Sequence, residues 1–202
     1  MKDLFNGYKN KGEQEYFTAK RRVVTLRTLV FFFISFSLYL AGYINTGSNK
    51  NLLTFVAVLG LLPASKSLIE AVMYHRYKGC DKDLHDDVCD LADLFVRGYG
   101  FVFTSYEKNY EVPVVICSDD YVYGLLSTGS FKKEKDKDIN SYKDSAIKHL
   151  SERLKADGLS PKVYLFTDKD AFIKRLKELK DKDILKSTAD ESALNVLKQI
   201  SL

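Results

Sequence analysis

Two apolar stretches joined by a short polar loop constrain this chain more than any other feature. The first runs from Leu29 to Ile44 without a charged residue, and the second runs from Leu52 to Ala64. An α-helix rises about 1.5 Å per residue, so about 20 apolar residues cross the ~30 Å hydrocarbon layer of a bilayer. The sequence therefore predicts a transmembrane helical hairpin over residues 26–74. A hairpin buried in a soluble protein is the alternative interpretation.

The charged residues predict the orientation of this hairpin. Residues 1–78 carry 11 Lys and Arg against 4 Asp and Glu, whereas residues 79–202 have a net charge of −3. Basic side chains beside a span are retained on the cytoplasmic side of the membrane and attract anionic headgroups. We therefore expect an integral, two-pass membrane protein with both termini in the cytoplasm and anionic lipid as a partner. The predicted membrane-interface residues are Lys20, Arg21, Arg22, Arg27, Lys66, Glu70, Arg76 and Lys78.

Lys66 and Glu70 form an ionisable pair near the end of the second apolar stretch. They are four residues apart and therefore share one face of a helix. Such a pair inside a bilayer suggests an ion or proton path, which two helices could form only in an oligomer. Counting inward from Asn51, however, brings Lys66 near the cytoplasmic interface, where its side chain can snorkel. We prefer the anchoring role.

The rest of the chain predicts a cytoplasmic basic arm over residues 1–25 and a cytoplasmic α+β domain over residues 79–202. The hydrophobic periodicity gives this domain the element order α-β-β-β-α-β-α-α, with helices packed on the sheet. The first three strands form an antiparallel meander, and one further strand follows later in the chain. About 120 residues in this pattern can bury a single core.

Local signals predict where several elements begin and end. The first helix of the domain covers Cys80–Val96 and is ended by Gly98 and Gly100. Pro113 indicates that the second strand starts at a sheet edge, because proline cannot donate to a strand ladder. The charged stretch Thr128–Asp138 is expected to be a mobile loop.

Two short patterns predict helix N-termini in the second half of the domain. Ser141 with Asp144, and Thr167 with Asp170, both have the spacing of a capping box. The last amphipathic helix begins at about Ala189.

The element order over Asp81–Phe166 resembles the core of the PD-(D/E)XK nucleases. The resemblance implies an acid near the second strand, for which Asp119 or Asp120 is a candidate. It also implies a Glu-x-Lys-like pair on the third strand, which binds metal and activates water. The third strand, Tyr121–Ser127, contains no carboxylate and no lysine.

The candidate binding residues are Asp119 and Asp120, in the turn between the second and third strands, and Tyr121 and Tyr123, at the start of the third strand. Together with Tyr106 and Tyr110, these tyrosines fall on or beside neighbouring strands. A tyrosine-lined sheet can stack a planar ligand. Tyrosines are also common packing residues between strands, and this interpretation is the simpler one.

Other chemistry has weaker support. Cys80, His85 and Cys89 are possible zinc ligands, but the paired Cys-x2–4-Cys spacing of structural zinc sites is missing. No nucleophile elbow and no glycine-rich phosphate loop occurs. We therefore predict no catalytic residues, no metal and no cofactor.

These patterns favour a membrane-anchored cytoplasmic α+β domain with a non-enzymatic regulatory, scaffolding or sensing role. A protein partner or self-association would fit that role, and no nucleic acid is expected, because the domain has no net basic charge. One alternative is a membrane-tethered hydrolase or degenerate nuclease-like effector that uses Asp119 and Asp120. Another is a subunit of an oligomeric channel or transporter.

Overall fold

The structure is a computed structural model and describes residues 10–106, 108–118, 120–128, 136–180 and 187–202. The chain divides into two compact units. One contains residues 15–78 and is helical. The other contains residues 79–202 together with the short segment Lys11–Gln14. Each unit is described by itself below.

The helical unit is a pair of long helices, α1 (Tyr16–Thr46) and α2 (Leu52–Arg76). Both are long and apolar enough to cross a membrane. α1 is capped at its C-terminal end by Gly47, whose positive φ of 62° is accessible to glycine without strain. α2 begins at the N-cap Asn51, whose side chain accepts a hydrogen bond of 2.8 Å from the backbone N–H of Thr54.

Between Leu26 and Ile44 and between Leu52 and Val72, the buried residues of the hairpin are small or carry a hydroxyl, and most large apolar side chains are exposed. Exposed apolar side chains occur along α1 from Leu26 to Ile44 and along α2 from Leu52 to Val72. Over these stretches the two helices meet through Thr28, Ser35, Gly42, Ala57, Ala64, Ser67 and Ala71, whereas nearer the start of α1 Phe17 packs against Tyr74 of α2 with ring centres 5.0 Å apart. This distribution is the reverse of that in a water-soluble helical pair.

The second unit is an α+β domain in which a mixed four-stranded sheet carries helices on both faces. The predicted element order is confirmed. Its elements are α3 (Lys82–Ala92), β1 (Val96–Thr104), β2 (Asn109–Ser118), β3 (Tyr121–Leu125), α4 (Asp136–Ala156), β4 (Lys162–Phe166), α5 (Lys169–Lys180) and α6 (Thr188–Ile200).

The strands lie in the order β1-β2-β3-β4. β1, β2 and β3 pair antiparallel, as the predicted meander requires, and β4 pairs parallel to β3. The parallel pairing follows from α4, which crosses one face of the sheet between β3 and β4.

The core is divided by the sheet into two clusters. α4 and α6 pack with one face through residues such as Leu150, Leu154 and Leu197. α3 and α5 pack with the other face through residues such as Val88 and Phe172. Helices thus cover both faces, which explains why nearly all residues of β2 are buried.

The first helix of the domain is shorter than the sequence predicts. α3 ends at Ala92, and the two glycines that were expected to end it lie inside β1. A Cβ atom on Gly98 would approach Phe101 Cζ to 2.6 Å and Leu194 Cδ1 to 2.9 Å. Gly98 is therefore favoured by close packing against Phe101 of β1 and Leu194 of α6 and does not mark a helix end.

Pro113 lies inside the central strand β2, so its predicted position at a sheet edge is wrong. The ladder between β1 and β2 pairs Tyr99 with Val114 and then Phe101 with Val112, which skips Gly100 and Pro113. Gly100 has a positive φ of 69° at this point. Proline has no N–H to donate at this step, and the ladder continues in the same register on both sides of it.

The predicted helix caps also differ from the observed ones. Ser141 lies within α4, because the helix begins at Asp136. At α5 the capping side chain belongs to Asp168, which accepts a 3.2 Å hydrogen bond from the N–H of Ala171. Most of the predicted loop Thr128–Asp138 lies outside the described residues, and its last three residues belong to α4.

Segments from both ends of the chain cover the outer edge of β1. The N–H of Tyr99 donates a 2.8 Å hydrogen bond to the carbonyl of Gly12, and the N–H of Leu202 donates one of 2.8 Å to Val102. The Lys11 ammonium donates a 2.9 Å hydrogen bond to the carbonyl of Ser201, just after α6. The short segment Lys11–Gln14, which precedes α1, is thus part of the α+β domain.

Candidate functional site

Three tyrosines stand together on β3 and β4 of the α+β domain. Tyr121 and Tyr123 project to the same side of β3, and Tyr164 of β4 is the register partner of Tyr123. The three ring centroids lie 5.9 Å from one another. The ring planes of Tyr123 and Tyr164 are inclined by only 18°. We call these three residues the tyrosine cluster.

Two basic side chains lie over this cluster. Lys162 Nζ is 5.8 Å from the ring centre of Tyr121, and the Arg175 guanidinium is 5.6 Å from that of Tyr123. Arg175 Nη2 also donates to the hydroxyl of Tyr123 at 3.4 Å, and its Nη1 pairs with Glu178 at 3.0 Å. Aromatic faces attract cations at these distances.

The cluster has a buried part and an accessible part. Tyr123 is 2% exposed, whereas Tyr164 is 47% exposed. Lys162 beside it is also exposed. An exposed aromatic face with an adjacent cation can stack a planar group and neutralise a negative charge. Tyr121 and Tyr123, two of the predicted binding residues, belong to this cluster, in which Tyr123 is buried and Tyr164 supplies the exposed ring.

Of the two acidic residues of the predicted site, the structure describes Asp120. Asp119 lies outside the described residues. Asp120 is exposed and has a positive φ of 62°, as turn residues often do. Its carbonyl accepts a 2.9 Å hydrogen bond from the N–H of Lys162, so its backbone joins β3 to β4.

The other two tyrosines considered with the site are elsewhere. Tyr106 is fully exposed beyond the end of β1. Tyr110 is buried and packs against Tyr142 at 5.0 Å and His149 at 5.9 Å. Burial lowers the pKa of His149, so its imidazole is favoured in the neutral form.

A second polar group of side chains lies inside the hairpin. Arg27 of α1 forms an ion pair with Glu70 of α2. Arg27 Nε also donates to the hydroxyl of Ser67 at 3.2 Å, and that hydroxyl lies 2.8 Å from the hydroxyl of Thr28. The sequence interpretation considered Glu70 with Lys66, whereas the partner of Glu70 is Arg27 on the facing helix.

The remaining predicted interface residues differ in their surroundings. Arg21 donates hydrogen bonds to the carbonyls of Tyr74 at 3.0 Å and Tyr77 at 2.7 Å, so it caps the C-terminal end of α2. Lys20 is half-buried. The exposed ones are Arg22, Lys66, Arg76 and Lys78.

The cysteines do not form a metal centre in the described ranges. No group of three or more His, Cys, Asp or Glu side chains there could hold a metal ion. Burial raises the pKa of the Cys80 thiol to about 12, and His85 packs against Tyr99 with ring centres 4.8 Å apart and ring planes inclined by 51°. Cys80 and His85 therefore pack on the side of the sheet that α3 covers.

Sequence reasoning missed the residues that complete the tyrosine cluster. Tyr164, Lys162 and Arg175 join the tyrosine cluster from β4 and α5, which follow Tyr123 only after the whole of α4. Only the parallel pairing of β4 with β3 brings them there. A signal existed in the alternation Lys162-Val163-Tyr164-Leu165, which places Lys162 and Tyr164 on one side of a strand.

The chain matches no protein-family model, no curated protein and no solved structure.

Proposed function

We propose that this protein is an integral membrane protein in which a two-pass hairpin anchors a cytoplasmic α+β domain. We propose a non-enzymatic regulatory, scaffolding or sensing role for that domain. The tyrosine cluster, with Lys162 and Arg175, is the proposed contact surface for its partner.

The exposed apolar band of the hairpin is the observation that carries the membrane proposal. On α1 the band runs from Leu26 to Ile44, and on α2 it runs from Leu52 to Val72. At about 1.5 Å per residue these stretches are about 28 and 32 Å long, close to the thickness of a bilayer core. Exposing so many large apolar side chains to water would be unfavourable, whereas lipid solvates them.

The charge distribution supports a cytoplasmic location of both termini. Arg21, Arg22 and Arg27 precede or begin the band on α1, and Arg76 and Lys78 follow it on α2. The loop between the helices carries only Lys50. Basic residues near both outer ends of the hairpin are retained on the cytoplasmic side.

Labelling of single cysteines tests the proposed topology. A Lys50→Cys substitution in the loop should react with a membrane-impermeant maleimide in intact cells. Native Cys89, which lies in the α+β domain and is less buried than Cys117, should react only after lysis and provides the internal control. Labelling of the native cysteines in intact cells, or release of the protein from membranes by alkaline carbonate, would contradict the proposal.

Crosslinking in living cells tests the proposed contact surface. A photo-reactive amino acid at position 164 should capture a partner in the membrane fraction, because Tyr164 is the accessible ring of the cluster. Substituting Lys162→Gln should reduce the captured amount several-fold. Position 106 is the matched control, since Tyr106 is a fully exposed tyrosine outside the cluster. Equal capture from both positions would argue against a specific surface.

A further inference from the structure

Lys66 lies within the exposed apolar band of α2. It is exposed, and it precedes Val72, the last exposed apolar residue of that band, by six residues or about 9 Å. In a spanning hairpin, a charged side chain at this depth requires a counter-charge or a route to the interface. No hydrogen bond or ion pair joins Lys66 to another residue in the described parts of the chain.

A hollow of about 260 Å³ opens on the hairpin surface beside Lys66. Its lining also includes Arg27, Glu70, Phe31 and Pro63. The hollow thus extends from Lys66 to the level of the Arg27–Glu70 ion pair, which lies one or two residues inside the end of the apolar band. It is an amphipathic space at the boundary between hydrocarbon and headgroups.

The polar groups around the hollow leave an excess of positive charge. Glu70 neutralises Arg27, and Lys66 adds a second positive charge without a second carboxylate. Arg27 uses Nε for Ser67 and Nη2 for Glu70. Its Nη1 group therefore has no partner among the described residues and remains available as a donor.

We propose that this hollow binds the headgroup phosphate of one anionic phospholipid from the cytoplasmic leaflet. The inference rests on the proposed membrane anchoring. Lys66 Nζ and Arg27 Nη1 supply charge-assisted hydrogen bonds to the phosphate oxygens, which suit both donors. The acyl chains of the lipid lie along the exposed apolar side chains of the two helices. The hairpin thereby binds an anionic phospholipid selectively, in addition to anchoring the domain.

The position of Lys66 on its helix also favours a phosphate over bulk solvent as its partner. Side chains on an α-helix tilt toward the N-terminus, which in α2 is the loop end of the hairpin. Lys66 therefore starts toward the bilayer centre and has to bend back to reach water. A phosphate bound in the hollow contacts the Lys66 ammonium without requiring the side chain to bend as far back toward water.

Native mass spectrometry of the full chain in detergent tests the proposal. We expect one tightly bound phosphatidylglycerol and much weaker binding of phosphatidylcholine with the same acyl chains. Lys66→Gln should weaken phosphatidylglycerol binding roughly tenfold, as expected for the loss of one charge-assisted hydrogen bond. Lys66→Arg should retain binding. Lys50→Gln is the control, because it makes the same charge change at the other end of the hairpin.

The outcomes separate this inference from the proposed anchoring. If Lys66→Gln binds phosphatidylglycerol like the wild type while both proteins resist alkaline extraction from membranes, the lipid site is wrong and the anchor stands. If the wild type is released by alkali, the anchoring itself fails, and the lipid site fails with it. Displacement of the lipid by excess inorganic phosphate, or a dimer that forms without lipid and is lost in Lys66→Gln, would also overturn the lipid site.

Discussion

Residues of one chemical type have different roles in this protein because their neighbours differ. Arg21 caps the end of α2, Arg27 pairs with Glu70, and Lys66 has no described partner. All three appear in the sequence as basic residues beside an apolar stretch. They differ in their contacts with the facing helix, which is distant in the sequence. A local sequence pattern carries no information about such contacts.

At the residue scale, the buried thiol of Cys117 makes the free energy of unfolding of the α+β domain depend on pH in the alkaline range. Burial raises its pKa from 9.0 to about 12, and the nearby Asp190 adds to the effect. The folded domain therefore holds the thiol proton more tightly than the unfolded chain. The resulting stabilisation is complete below about pH 9 and is lost as the pH rises toward about 12.

The expected result is a urea midpoint that falls between pH 9 and pH 11, measured by the circular dichroism of the full chain in detergent. Cys117→Ala should make this decrease smaller, since it removes one of the groups that ionise. Cys89→Ala is the control, because Cys89 is less buried. An identical decrease in Cys117→Ala and the wild type would show that other groups cause it.

At the element scale, helix ends follow the backbone geometry more than the sequence spacing. The pattern Thr167 with Asp170 suggested a capping box, but the side chain that accepts from the first turn of α5 is Asp168. Thr167 and Asp168 both carry a side-chain oxygen that can serve as an N-cap. The backbone at the end of β4 decides which oxygen faces the helix.

Substituting Asp168→Ala should lower the free energy of unfolding of the domain by about 1 kcal/mol, the usual cost of removing an N-cap. Thr167→Ala should have a smaller effect and is the matched control. The urea midpoints of both variants in the full-length protein provide the measurement. A larger loss in Thr167→Ala than in Asp168→Ala would contradict the assignment of the cap.

The two hairpin helices are also joined by a specific ion pair. Glu70→Gln should destabilise the hairpin by up to about 3–5 kcal/mol, the range for breaking a buried pair, because the charge of Arg27 is left uncompensated. Because Glu70 is half-exposed, we expect a destabilisation in the lower part of this range. Thermal loss of helical signal in detergent measures the effect.

The exchange Arg27→Glu with Glu70→Arg restores opposite charges and should recover part of the lost stability. Lys66→Gln, which removes a charge without breaking the pair, is the control. A double variant no more stable than Glu70→Gln would indicate that the surrounding hydroxyls, rather than the charge pairing, determine the effect.

At the scale of the whole molecule, the α+β domain is discontinuous in sequence. Lys11–Gln14 belongs to it, although α1 and α2 intervene before the chain returns at Gly79. Gly12 has a positive φ of 93°, and a Cβ there would approach Lys198 Cε to 2.8 Å. The segment covers the edge of β1, which would otherwise leave strand hydrogen-bonding groups unpaired.

We therefore expect a fragment of residues 79–202 to be less stable and more prone to association than a version that keeps residues 10–14. In that version a flexible Gly/Ser linker replaces residues 15–78. The measurements are urea midpoints and size-exclusion profiles of the two fragments. In the full chain, Gly12→Val should lower the stability of the domain in the same direction. Equal behaviour of the two fragments would show that the segment does not contribute.

Much of the architecture could be predicted from the sequence because the signals are local. The uncharged stretch Leu29–Ile44 predicts a long apolar helix, and alternation and periodicity predict the helix and strand order of the domain. The predictions failed where a residue has two local interpretations. Gly98 and Pro113 were assigned to a helix end and a sheet edge, whereas packing and an interrupted ladder place both inside strands.

The sequence by itself determined the two apolar helices, the element order and the charge asymmetry, since each depends on residues that are close in the chain. Only the tertiary structure decided the ion pair of Arg27 with Glu70, the tyrosine cluster and the attachment of Lys11–Gln14 to β1. These depend on contacts between residues that are far apart in the chain. Such contacts are set by the packing of whole elements, because helix and strand periodicity defines which face a residue occupies but not what that face meets.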